Sequence, residues 1–137
     1  MNRLFLFFFG AVTFVAHAQV PDYVPTEGLV GWWPLDGDGQ DMGPLELHGT
    51  TIGTECGANR FNQSCGAVTF TNGDRIVIET DSSHSSSELT VCFWTKLDNH
   101  QSYNHFFNRW EGSDYEFVMS SNSTGLYIYV GNTLFLS

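Results

Sequence analysis

From Gly28 to Ser137 the chain reads as short apolar or alternating runs separated by clusters of Gly, Asn, Asp and Ser. No window carries the 3.6-residue apolar stripe of an amphipathic helix, whereas alternation at a period of two recurs. The pattern predicts strands over 29–34, 47–52, 66–71, 75–80, 88–97, 104–110, 115–120, 126–130 and 133–137. In 75–80, Ile76 and Ile78 fall on one face and Val77 and Glu79 on the other. In 88–97, Leu89, Val91, Phe93 and Leu97 share a face opposite Cys92 and Trp94, so apolar groups on both faces predict a central strand. Trp94 is expected in the core beside Trp32 and Trp33, with Cys92 buried and unpaired as a small hydrophobe. In 126–130, Leu126, Ile128 and Val130 alternate with Tyr127 and Tyr129, and Gly131-Asn132 fits a two-residue hairpin turn. Many short strands at regular spacing imply an all-β sandwich or barrel. Leu134-Phe135-Leu136-Ser137 reads as a strand in progress; stopping there would leave an apolar sheet edge, so the 28–137 domain is expected to continue past Ser137.

The N-terminus has a different pattern. Arg3 precedes the apolar run Leu4–Val15, and Ala16-His17-Ala18 supplies the small residues that signal peptidase requires. That run is 12 residues long, too short to span a bilayer, which takes about 20. Residues 1–18 are therefore expected to be a signal peptide, and the mature chain to be secreted or displayed at the cell surface, with no membrane span. Residues 19–27 form a Pro-containing, extended lead-in.

Removing 18 residues from 137 leaves 119, the length of one domain. The whole chain has a formal charge of −10, and losing Arg3 takes it to −11. Such a surface repels nucleic acid and anionic membranes, so neither is expected as a partner. Cys56 and Cys65, with eight residues between them, lie in a Gly/Asn/Ser-rich stretch of a chain bound for an oxidising compartment, and are expected to pair. No Cys/His spacing suited to zinc is present.

The run Gly28-Leu29-Val30-Gly31-Trp32-Trp33-Pro34-Leu35-Asp36-Gly37 resembles the opening strand of laminin-G-like, concanavalin-A-like domains of bacterial extracellular proteins. Further pieces follow in the family's order. Asp41 with Gly43 resembles its acidic loop, and Leu47-His48-Gly49-Thr50 its second strand. Gly66-Ala67-Val68-Thr69-Phe70 leading to Gly73-Asp74-Arg75-Ile76 resembles its next strand pair. Leu89-Thr90-Val91-Cys92-Phe93-Trp94-Thr95-Lys96 resembles its central strand. The resemblance is closest over 28–97. Two features depart from it: Phe70-Thr71-Asn72-Gly73 stands where relatives have Phe-Asp-Gly, and the Cys56/Cys65 pair is extra. The resemblance implies a two-sheet antiparallel jelly-roll sandwich, and a structural Ca²⁺ at its rim for which Asp36, Asp41 and Asp74 are the matching acids.

Several side chains are candidates for chemistry. Asp36, Asp38 and Asp41 place three carboxylates within six residues of a Gly-rich loop, which suits an oxygen-loving cation or a solvated acidic turn. An EF-hand is excluded, because its sixth and twelfth positions would be Asp41 and Leu47. Glu111, Asp114 and Glu116 lie close together, but glycosidases of concanavalin-like fold use same-face carboxylates on one strand; Gly112-Ser113 reads as a turn, so only Asp114 and Glu116 could share a face, with no supporting third acid. Tyr103, Trp110, Tyr127 and Tyr129, with His105, are the candidate platform for stacking sugar rings; against this, the tyrosines equally suit the solvent face of half-buried strands. The expected function is a non-catalytic carbohydrate-binding or adhesion module, with a glycan or an extracellular protein as ligand. The alternatives are a glycoside hydrolase or lyase whose catalytic acids lie beyond Ser137, and a structural spacer of a surface protein.

Overall fold

The computed structural model describes residues 19–79, 88–98, 104–111, 114–131 and 133–136. The expected signal peptide, residues 1–18, lies outside the described residues, as does Tyr103. Among the described residues there is no helix, and all strands pair antiparallel. They fall into two units, dividing between Ser87 and Glu88.

The first unit contains β1 (Gly49–Ile52), β2 (Glu55–Gly57), β3 (Ala67–Thr69) and β4 (Arg75–Ile78). β1 pairs with β4 from Gly49↔Ile78 to Ile52↔Arg75, and β2 pairs with β3 from Glu55↔Thr69 to Gly57↔Ala67. Together they make one interrupted hairpin. Two residues, 53–54, separate the outgoing strands, and five, 70–74, separate the returning ones, so the two ladders differ in register by 5 − 2 = 3 residues. Gly53 turns the outgoing branch at φ 78°. A Cβ there would collide with Asp74 Oδ1, so glycine is required on both counts. The Cys56–Cys65 disulfide closes the tip, as expected from the sequence. Within the tip, Asn59 Oδ1 accepts from the backbone N–H of Phe61 (2.9 Å) and Gln63 (3.0 Å), replacing ladder bonds the turn cannot make.

The second unit holds β5 (Asn104–Glu111), β6 (Asp114–Asn122), β7 (Gly125–Val130) and β8 (Thr133–Leu136), which form one sheet in sequence order. Two-residue connections join β6 to β7 and β7 to β8, bracketed by the pairs Asn122↔Gly125 and Val130↔Thr133. At the first turn, Asn122 Oδ1 accepts from Thr124 N (2.8 Å) and Thr124 Oγ1 (2.7 Å). Residues opposite in register share a face. Phe107, Met119 and Ile128 form one row, and Phe117 and Val130 lie beside it on the same side. The Phe107 and Phe117 rings meet edge-on, with centroids 5.6 Å apart. His105, Ser120 and Tyr127, followed by Asn108, Val118 and Tyr129, make up the opposite face. Val118 and Ser120, each 2% exposed, are its buried centre.

Two predicted strands form no ladder among the described residues. Over 29–34 the hydrogen bonds go to a neighbouring loop: Trp32 O accepts from Met42 N (2.8 Å), and Trp33 Nε1 donates to Leu47 O (2.9 Å). Over 88–97 no described strand pairs with the run, and Trp94 is 86% exposed rather than in the core. Cys92 is free, as expected, but exposed rather than buried. No helix among the described residues is long and apolar enough to cross a membrane.

Candidate functional site

The acidic loop is organised around Asp41, only 2% exposed. Its Oδ1 accepts from Trp32 N and Gly43 N, both at 2.7 Å, and its Oδ2 from Leu47 N at 2.8 Å. Its own N–H donates to His48 Nδ1 at 3.1 Å, which assigns the remaining ring proton of a neutral His48 to Nε2. One carboxylate thus satisfies three backbone donors that would otherwise be unpaired in a tight, partly buried loop. Gly43 is part of the same device. A Cβ on it would come within 2.8–2.9 Å of Asp41 Oδ1, Gly31 Cα and Trp32 N.

Asp74 acts in a similar way on a smaller scale. Its Oδ2 accepts from Thr71 N (2.6 Å) and Thr71 Oγ1 (2.7 Å). The Thr71 amide, followed by the Thr71 hydroxyl, holds this carboxyl below its ordinary value of 3.8. Asp36 is exposed. Among the described residues no group of three or more His, Cys, Asp or Glu side chains is placed to hold a metal ion. Asp41 and Asp74 accept hydrogen bonds within their own loops.

Of the four aromatic candidates, the sheet brings two together. Tyr127 and Tyr129 stand two residues apart on β7, both half-buried, opposite Ser120 and Val118. The Tyr127 hydroxyl bonds to Thr124 Oγ1, and this bond, followed by one from Asn122, lowers its pKa. Trp110 lies in β5, in register with Tyr115. Glu111 ends β5 and Asp114 begins β6, and the two are register partners. Glu111 and Asp114 therefore belong to different strands, whereas Asp114 and Glu116 lie two residues apart on β6.

Sequence reading missed a second feature of this sheet. Between the pairs His105↔Ser120 and Phe107↔Met119, β5 carries a bulge that leaves Phe106 without a register partner. Phe106 meets Phe93 at a centroid distance of 5.8 Å and lines an open cavity of about 500 Å³. No known protein family, curated protein or solved structure matches the chain.

Proposed function

We propose that this chain is an exported, non-catalytic carbohydrate-binding module of the laminin-G-like, concanavalin-A-like jelly-roll type. The observation that supports it most directly is the pair Tyr127 and Tyr129, half-buried side by side on one face of an antiparallel sheet. Such rings offer an apolar surface to the C–H face of a sugar and a polar tip to its hydroxyls. Export is supported by the Leu4–Val15 run with Ala16-His17-Ala18, and by a disulfide of the kind that persists in oxidising compartments. The Ca²⁺ that the family resemblance implies would be held by Asp36, Asp41 and Asp74, of which Asp41 and Asp74 also accept hydrogen bonds from their own loops.

The test is a glycan array probed with the folded, secreted chain, alongside a Tyr127→Ala/Tyr129→Ala variant. Binding to a glycan class by the wild type and its loss in the variant are expected. A folded wild-type chain that binds no glycan would overturn the proposal. Adhesion to an extracellular protein is the second reading, favoured by the exposure of Trp94 (86%), Tyr23 (81%) and Phe61 (67%), since large exposed aromatics mark protein contacts.

A further inference from the structure

Two side-chain polar atoms among the described residues are buried with no hydrogen-bond partner, Asn104 Nδ2 and Ser121 Oγ. They lie together, because Asn104 on β5 is the register partner of Ser121 on β6. Buried donors left without partners are uncommon in folded proteins, and each costs about 1–3 kcal/mol. Two at directly opposed positions mark a place where something outside the chain completes the bonding. Ser121, 6% exposed, also lines the cavity that the Phe106 bulge helps to shape.

The walls of that cavity narrow the ligand's chemistry. Leu97, Phe106 and Leu126 supply an apolar side, and the β6–β7 turn at Asn122, Ser123 and Thr124 supplies a polar rim. None of the lining residues is charged, so neither an anion nor a cation would find a counter-charge. At about 500 Å³ the cavity falls in the range of small-ligand sites, about 300–1,000 Å³. A neutral ring with one C–H face and several hydroxyls matches all three features. A single hydroxyl between the two orphan atoms would accept from Asn104 Nδ2–H and bond to Ser121 Oγ, while the ring lies against Phe106.

We infer that this cavity is a subsite for one neutral monosaccharide unit, with Ser121 on its polar wall, Asn104 beside it at the opposed register position, and Phe106 as its stacking surface. The inference rests on the carbohydrate reading above but uses the sheet face opposite Tyr127 and Tyr129, since Ser121 alternates with Ser120 along β6.

The experiment titrates the ¹⁵N-labelled mature chain with glucose, galactose, mannose, fucose and N-acetylglucosamine, following amide shifts. At least one sugar is expected to shift Phe106, Ser121, Asn122 and Leu126. Ser121→Ala is expected to weaken that binding about tenfold while leaving the Tm of the free protein unchanged or higher, because the hydroxyl it removes has no internal partner. Asn104→Leu, of similar volume, provides a second variant should Ser121→Ala misfold. Sugar affinity unchanged in a folded Ser121→Ala or Asn104→Leu chain would overturn the subsite, as would shifts confined to Tyr127 and Tyr129. Array binding by a wild type in which no monosaccharide shifts Phe106 or Ser121 would sink the subsite alone, whereas a wild type that binds neither array nor sugar would sink both proposals.

Discussion

Replacing Asp41 with alanine removes the acceptor for three backbone N–H groups at once. The Gly43 amide is fully buried, so its bond to Oδ1 has no water to replace it, and losing it costs about 1–3 kcal/mol. The Trp32 and Leu47 amides are only part-buried and regain some hydration, about 0.5–1.5 kcal/mol each. The sum is about 4 kcal/mol, a large fraction of the roughly 5–15 kcal/mol that stabilises a typical domain. Asp41→Asn keeps one oxygen, which best serves Trp32 and Gly43 and turns its NH₂ toward the Leu47 N–H. One bond is then lost and two donors face each other, a cost of about 1–3 kcal/mol. Urea unfolding followed by tryptophan fluorescence should therefore rank the proteins wild type, then Asn, then Ala, with m-values unchanged. An Asp41→Ala chain within about 0.5 kcal/mol of wild type would refute the claim that this carboxylate holds the loop together.

Two other outcomes follow from the same unit. Changing Cys56 and Cys65 together to serine should lower stability by about 2.6 kcal/mol, the chain-entropy value for a loop this short, as measured by thermal unfolding. Because the folded-state pKa of Asp74 is depressed by Thr71, its contribution is present above the unfolded value and is lost as pH falls through the folded one. A Tm profile taken from pH 6 downward, all on the acid side, should accordingly fall more steeply below about pH 4 in wild type than in Asp74→Asn, which cannot titrate; parallel curves would exclude that linkage.

The strands that the sequence reading placed best are those where alternation and turn chemistry agree. β7 is an example: Leu126, Ile128 and Val130 alternate with the tyrosines, and Gly131 follows at φ 57°. Alternation also places Tyr127 and Tyr129 on one face of β7. The runs 29–34 and 88–97 misled for a shared reason, because an apolar run records a wish for burial but not whether a strand is available to pair with it. β2 escaped notice because Glu55-Cys56-Gly57 has almost no apolar content; its ladder exists because β3 returns beside it under a crosslink. Asp41 also carries a signal that the sequence reading does not use. As an acid two residues before a glycine it carries the signature of a side chain bonding the backbone two positions on, and that is the bond seen to Gly43. The meeting of Asn104 with Ser121 could not be read at all, since it depends on a bulge that changes which residues face each other across β5 and β6.

The three-residue offset in the interrupted hairpin makes its two halves mechanically separate. A slip in one ladder cannot pass to the other, because Gly53-Thr54 on one side and Phe70–Asp74 on the other absorb the mismatch. Opening of the tip should therefore stop at that joint, and amide exchange after reduction should quicken from Glu55 to Thr69 while Gly49–Ile52 and Arg75–Ile78 keep their protection. In evolutionary terms the joint is a tolerant seam, where residues can be gained or lost without turning either strand pair inside out.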